Sequence, residues 1–198
     1  MNKTPDGQMT EKERNYIYNT VKNLNPKTCI ESGTWYGGGS TLSITKALYE
    51  TNGILHTFEE YYDFYKVAKN FYENSLYFNN IKLHNDSIIN GLQKFDDEFF
   101  KTVDFILLDG GDELPNGGHK ENISSYIEDY NISENVQSFK YLENRISVGT
   151  HILLHDWSII EGRGNFIKRY LEETNNKNFE IIDIINASTG LAHLKKIK

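Results

Sequence analysis

Thr28-Cys29-Ile30-Glu31-Ser32-Gly33-Thr34-Trp35-Tyr36-Gly37-Gly38-Gly39-Ser40-Thr41 decides how the rest of the chain is read. Thr28 to Glu31 is a short apolar run ending in an acid; four glycines follow between positions 33 and 39, and a helical pattern begins at about residue 40. A run this short suits a buried parallel strand and is too brief for a buried helix. Glycines at a strand-to-helix turn let the backbone approach a ligand, and the helix N-terminus behind them presents unpaired N–H groups. Two familiar glycine motifs are absent: there is no Gly-Lys-Ser/Thr, and Gly33 to Gly39 does not spell G-x-G-x-x-G. That weakens ATP and NAD as ligands. The plain alternative is a tight turn with Ser40 as the helix N-cap.

Outward from this turn the same grammar repeats. Short apolar runs stand at Ile54 to Glu59, Ile81 to His84, Val103 to Leu108 and His151 to His155, and helical patterns lie between them. In the helix after Glu60, Phe64, Val67, Ala68 and Phe71 fall at i, i+3, i+4 and i+7, which predicts one buried face. Further helices are predicted at about 40–50, 87–99, 135–147 and 163–174. Upstream, Thr10-Glu11-Lys12-Glu13 is a capping-box signal for a helix over about 10–24, with Ile17, Val21 and Leu24 on one face. Strand and helix in strict turn imply right-handed crossovers and a parallel sheet covered on both faces. The tail departs from this. Phe179 to Ile185 and Leu191 to Leu194 are separated only by Asn186-Ala187-Ser188-Thr189-Gly190, so these strands are predicted to pair antiparallel.

Composition narrows the class. The chain has 198 residues, 38% hydrophobic and 25% charged, which fits one ordinary globular domain over 1–198 and excludes collagen, coiled coil and low complexity. With 21 Lys and Arg against 28 Asp and Glu, the net charge of −7 offers no general attraction to phosphate backbones, so nucleic acid is not an expected partner. Cys29 is the one cysteine, the start Met1 to Asp6 carries no apolar signal region, and no run is long enough to span a membrane; a reducing cytoplasm is the expected location.

Polar residues close the predicted strands. Glu59 follows the second, where a carboxylate can take both hydroxyls of a ribose; Asn85-Asp86-Ser87 follow the third, where an adenine edge can be read; Asp109-Gly110-Gly111-Asp112 follow the fourth. Ligands of open parallel sheets bind beyond such strand ends. One acid there is ordinarily a cap or a solvated charge, but four polar exits in succession are harder to explain so.

The segments Ile30 to Gly38, Val103 to Gly111 and Ile152-Leu153-Leu154-His155-Asp156-Trp157 resemble class I S-adenosylmethionine-dependent methyltransferases, in particular bacterial small-molecule and sugar O-methyltransferases and more distantly the catechol type. The resemblance covers most of the chain. It implies a Rossmann-like, doubly wound α/β sheet of seven strands, mostly parallel, with an antiparallel strand in the C-terminal hairpin. It further implies that Glu31, Gly33, Tyr36, Gly37 and Ser40 belong to the turn that holds the methionine part of the cofactor, that Glu59 holds its ribose, that Asp86 and Ser87 read the adenine, and that Asp109 stands at the catalytic end. The activity implied is O-methylation of a small hydroxylated or sugar-containing acceptor. The reading from another class is a catalytically silent S-adenosylmethionine-binding subunit of an assembly. A homo-oligomer is left open.

An alcohol is a weak nucleophile at neutral pH, and a divalent ion held by carboxylates acidifies and orients it. Asp109 and Asp156 are the chosen ligands, with Mg or Mn the expected ion. Related metal-dependent enzymes add a second oxygen ligand beside the fifth-strand aspartate, whereas here the neighbours are His155 and Trp157. His155 is therefore read as a third ligand or a base, and alternatively as a hydrogen-bonded strand-end residue. Asp112 stands where many relatives carry a histidine base; it is read as base, ligand or turn cap. The stretch from about 112 to 134 is longer than ordinary loops and is read as a substrate-facing lid or a disordered insertion, with His119 as a reserve base. Arg163 either reaches the acceptor or simply starts a helix.

Overall fold

The computed structural model describes residues 9–110, 133–159 and 162–198. Asp112, His119 and nearly all of the predicted 112–134 insertion lie outside the described residues. The first element, α1 (Glu11–Leu24), begins with the predicted capping box. The Thr10 hydroxyl accepts from the Glu13 backbone N–H, and the Glu13 carboxylate reaches back to the Thr10 N–H at 2.8 Å. Then come β1 (Thr28–Ser32), α2 (Ser40–Thr51), β2 (Ile54–Phe58), α3 (Tyr62–Glu73), β3 (Ile81–His84), α4 (Ile88–Leu92), α5 (Asp97–Lys101), β4 (Val103–Leu108), α6 (Glu134–Glu143), β5 (His151–His155), α7 (Arg163–Glu173), β6 (Phe179–Ile185) and β7 (Leu191–Lys196).

The seven strands form one sheet in the order β3-β2-β1-β4-β5-β7-β6. β1 to β5 run parallel, and β7 inserts between β5 and β6 antiparallel to both. The predicted hairpin is therefore present. Both faces of the sheet are covered: Ile30, Ile106, Phe139 and Phe166 belong to one core cluster, and Ile17, Val21, Leu48 and Phe105 to the other. Fully burying each such side chain contributes about 1.5–3 kcal/mol before the entropy of ordering is subtracted. No helix among the described residues is long and apolar enough to cross a membrane.

Register, more than strand order, positions the polar strand exits. Ser32 is level with Phe58 and with Leu108, Phe58 is level with His84, and Leu108 is level with Leu154. The next residues, Gly33, Glu59, Asn85, Asp109 and His155, consequently share one row along the carboxyl edge of the sheet.

Three local expectations are corrected. The helix predicted over 87–99 is two short helices: α4 closes at Leu92 with Gln93 as its C-cap, and Asp96, whose carboxylate accepts from the Phe99 N–H at 2.9 Å, starts α5 afresh. In α3, Val67 is exposed, and Ala68 and Tyr72 are the buried positions. The Tyr72 hydroxyl donates to the Gly37 carbonyl at 2.7 Å, which lets a polar ring be buried and turns the helix accordingly. Ser40 is the first residue inside α2, and Gly39 is the N-cap, without a side-chain bond.

Candidate active site

A cleft opens over the row of strand ends, at the switch point where β1 leaves β2 on one side and β4 on the other. Its wall is built from Gly33, Thr34 and Trp35 of the β1–α2 turn, Gly39 and Ser40 at the start of α2, Glu59, Tyr61 and Phe64 beyond β2, Asp109 and Gly110 beyond β4, and Met9 and Arg163. Open parallel sheets bind ligands at this position.

The floor has no room for side chains. A Cβ on Gly33, whose φ is +91°, would stand 2.7 Å from the Asp109 carbonyl and 2.8 Å from the Gly110 Cα; one on Gly110 would stand 2.3 Å from the Gly33 N. Glycine at both positions lets the β1 turn and the β4 exit touch. The turn is also tied to β2, since the Gly33 N–H donates to the Phe58 carbonyl at 3.1 Å.

Glu59 is 6% exposed and braced at both oxygens. Its Oε2 accepts from the Trp35 N–H at 2.7 Å and its Oε1 from the Tyr61 N–H at 2.9 Å. Backbone donors on both sides fix the carboxylate on the cleft wall, beside the aromatic rings of Trp35, Tyr61 and Phe64. Trp35 adopts φ +49°, a left-handed conformation uncommon for a bulky residue, and its ring packs on Tyr36 at 4.4 Å between centroids.

Glu31 is fully buried behind this wall. Burial pushes its pKa up to about 7 against the opposing hydroxyls of Ser40, Thr41 and Thr57. Thr41 and Thr57 each donate to Oε2 at 2.7 Å. Glu31 is thus a buried tie between β1, β2 and α2, and it reaches the cleft only through its neighbours. Tyr36 and Gly37 also stand outside the wall: Gly37 faces α3, where a Cβ would meet the Tyr72 ring at 2.8 Å.

Asp86 and Ser87 lie where predicted, just past β3, yet local structure engages both and neither lines the cleft. Asp86 pairs with Lys94, and the Ser87 hydroxyl accepts from the Asn90 N–H as the N-cap of α4. Asn85, their neighbour, donates to the Glu59 carbonyl at 2.9 Å and so holds the β2 exit in place.

The acid end gathers three predicted residues. Ligand atoms of Asp109, His155 and Asp156 all lie within 4.8 Å of one another. Two residues outside the predicted ligand set join them. Arg163 Nη1 stands 3.2 Å from Asp109 Oδ1 and 3.4 Å from Asp156 Oδ2. Glu13, fully buried at the start of α1, places Oε1 3.5 Å from His155 Nε2. His155 Nδ1 is 2.8 Å from Asp109 Oδ1 and 3.3 Å from Asp156 Oδ1. Burial alone would depress the imidazole pKa, but the charge of Asp109, its hydrogen bond, Asp156 and Glu13 overcome this and raise it to about 9. The carboxylates around it thus favour the protonated imidazole, and the bond to Asp109 matches the reading of His155 as a hydrogen-bonded strand-end residue.

Whether the expected divalent ion fits depends on this donor set. Two carboxylates and an imidazole in reach of one another are suitable donors by type. Here a guanidinium already spans both carboxylates, and the imidazole nitrogen that faces them is a donor to Asp109. The residues as arranged do not fit a resident ion.

Both added residues carry a signal in the sequence. Glu13 lies four positions before Ile17 in the buried stripe of α1, so a carboxylate occupies an apolar face. Arg163 is flanked by Gly162 and Gly164, both pressed against the end of β5.

No protein-family model matches the sequence, and no curated protein is significantly similar to it. Solved structures do match. An O-methyltransferase from Bacillus cereus in complex with SAH (S-adenosylhomocysteine) superposes with a TM-score of 0.71 at 16% identity, covering 98% of this chain and 84% of that one. The O-methyltransferase TomG from Streptomyces achromogenes, involved in tomaymycin synthesis and solved with SAM, gives 0.70 at 14% identity over 98% and 83%. The SAH-bound methyltransferase PaMTH1 from Podospora anserina gives 0.65 at 13% over 96% and 80%. At these identities the likeness establishes the fold: over nearly its whole length the chain is folded like these methyltransferases.

Proposed function

We propose that the chain is an S-adenosylmethionine-dependent O-methyltransferase acting on a small hydroxylated or sugar-containing acceptor. The observation that carries this reading is the placement of Glu59: a nearly buried carboxylate, fixed by two backbone N–H donors, on a cleft wall whose floor is the Gly33–Gly110 contact at the sheet's switch point. A carboxylate so placed suits a vicinal diol such as a ribose, and a floor without side chains suits a ligand that lies directly on backbone.

The residues divide the work by position. Glu59 would hold the ribose hydroxyls of S-adenosylmethionine, with Tyr61, Phe64 and Trp35 offering apolar surface beside it. Gly33, Gly39 and Ser40 would face its amino-acid end, where the start of α2 adds backbone donors. When bound, the cofactor supplies an activated methyl group for in-line displacement by an acceptor oxygen. Positioning in such a displacement can supply about 7–11 kcal/mol, so a cleft that aligns the acceptor and excludes water accounts for much of the rate. Asp109 is the carboxylate of the acid end that lines the cleft. The expected Mg or Mn is not carried into this proposal, because Arg163 stands on both Asp109 and Asp156.

Calorimetry with S-adenosylhomocysteine tests the reading. The wild-type chain is expected to bind it, and Glu59→Gln to weaken binding roughly ten- to a hundredfold, since hydrogen bonds to a charged group contribute about 1.5–3 kcal/mol. No heat with either S-adenosylmethionine or S-adenosylhomocysteine would remove the proposal. Binding without methyl transfer to any of a broad acceptor panel would favour the silent binding subunit instead.

A further inference from the structure

We propose that the guanidinium of Arg163 takes the place of an ion at the acid end, doing for Asp109 and Asp156 what a divalent ion does in the metal-dependent enzymes the sequence resembles. Applied to catalysis, the inference rests on the methyl-transfer reading.

The first support is the contact itself. A single nitrogen, Nη1, is 3.2 Å from the carboxylate closing β4 and 3.4 Å from the carboxylate that follows β5. A divalent ion bound by these two groups would need their oxygens at about 2.0–2.6 Å. It would have to enter the space between them against a fixed positive charge. The imidazole beside them already faces both carboxylates through Nδ1.

The second support is how the backbone delivers Arg163. A Cβ on Gly162 would lie 2.1 Å from the Asp156 carbonyl oxygen and 2.7 Å from the Asp156 Cβ, and one on Gly164 would lie 2.4 Å from the His155 carbonyl oxygen. The chain on both sides of Arg163 is thus in direct contact with the residues whose charges it meets. Asn165 adds a bond from its side-chain amide to the Trp157 carbonyl at 3.3 Å. Asp156 itself sits at φ +59°, a conformation that turns the chain sharply after β5 and is uncommon outside glycine, asparagine and aspartate. The placement of Arg163 is a property of the loop's packing, and a mobile surface arginine would have neither glycine.

A tethered guanidinium also changes which acceptors fit. An ion with open coordination positions favours two adjacent oxygens that chelate it. A guanidinium offers a planar fork of N–H donors, which suits one anionic oxygen or a carboxylate and does not require an oxygen pair. An acid end held by a guanidinium therefore does not call for a chelating oxygen pair in the acceptor.

Mn binding to the full-length, chelator-treated protein, read by electron paramagnetic resonance and calorimetry, tests this without turnover. The wild-type chain is expected to show no saturable Mn binding at dissociation constants tighter than about 1 mM. Arg163→Met is expected to gain one Mn with release of the proton that His155 shares with the two carboxylates, and adding Asp109→Asn to that variant is expected to abolish the gain. Should Arg163→Met fail to fold by circular dichroism, Arg163→Gln serves in its place. Saturable binding by the wild-type chain that Asp109→Asn removes overturns the inference. So does failure of the folded Arg163 variant to bind Mn, since Arg163 would then not be what keeps the ion out. S-adenosylhomocysteine calorimetry on the same samples separates the two readings: loss of cofactor binding strikes the methyl-transfer function and leaves the Mn result legible.

Discussion

Replacing His155 by glutamine removes a cation held among three carboxylates, and the structure dictates how the cost varies with pH. In the folded chain the imidazole titrates at about 9, against an ordinary value of 6.5. The folded state therefore binds this proton more tightly than the unfolded state. Its stabilisation is complete below pH 6.5 and is lost as pH rises through about 9. At about 1.4 kcal/mol for each tenfold difference in proton affinity, the pair of values corresponds to about 3 kcal/mol, an upper figure for a group that water reaches slightly. With a urea slope of about 2 kcal/mol/M, that is a fall of about 1.5 M in the unfolding midpoint. Glu31, raised to about 7 by burial, adds a fall near pH 7 to wild type and variant alike, so the difference between the two proteins is what reports His155. Burial lowers the pKa of His56, His84, His151 and His193, so each of these affects stability only below pH 6.5. Burial raises the Cys29 thiol, which adds a fall at high pH to wild type and variant alike. Urea titrations from about pH 6 to about pH 10 should show the wild type losing stability and His155→Gln losing about 3 kcal/mol less over that span. Parallel curves for the two proteins would refute the charge network. If the variant does not fold, the His155 ring proton in the wild type should titrate near 9 by nuclear magnetic resonance, and a midpoint near 6.5 has the same force.

Two further substitutions test the cleft itself. Gly33→Ala places a Cβ 2.7 Å from the Asp109 carbonyl oxygen at φ +91°, so thermal unfolding should show a loss of about 2–4 kcal/mol, with S-adenosylhomocysteine binding abolished in the folded fraction; an alanine variant that matches the wild type in both removes the glycine floor. Glu31 titrates at about 7 rather than 4.5 because it is buried, so its folded state holds the extra proton and wild-type stability should fall by about 3 kcal/mol as pH rises from 4.5 to 7; Glu31→Gln should flatten that slope in urea titrations, and an unchanged slope would show that the carboxyl is not neutral when buried.

The alternation of short apolar runs and helical patterns made the sheet legible, since buried parallel strands and amphipathic helices leave different periods in the sequence. Register did not show. Nothing in Phe58 or Leu154 announces that each stands level with the end of its neighbouring strand, yet that row is what brings Glu59, Asp109 and His155 to one edge. Residue type named Glu59 and Asp109 correctly as strand-end acids on the cleft. It could not tell that Asp86 and Ser87 would be taken by a lysine and a helix cap, because caps and ligand contacts use the same side chains. Glu13 was legible as half of a capping box and illegible as a partner of His155, because the second contact joins residues more than a hundred positions apart. Tyr72 was missed on the buried face of α3 for a related reason: it is polar by its hydroxyl, and its bond to the Gly37 carbonyl across the turn lets it join the core.

The two ends of the site are one mechanical unit. Gly110 touches Gly33 at a separation that leaves no room for a Cβ on either, so the β4 exit cannot shift without moving the glycine turn that floors the cleft. Asp109, the residue before Gly110, carries His155 and Arg163 on its Oδ1. His155 in turn meets Glu13, whose other oxygen caps α1 beside Met9 on the cleft rim. Direct contacts thus run from the acid end to the turn that would hold the cofactor. Arg163 acts within this unit as more than a counter-charge: it joins the start of α7 to the carboxylates that follow β4 and β5.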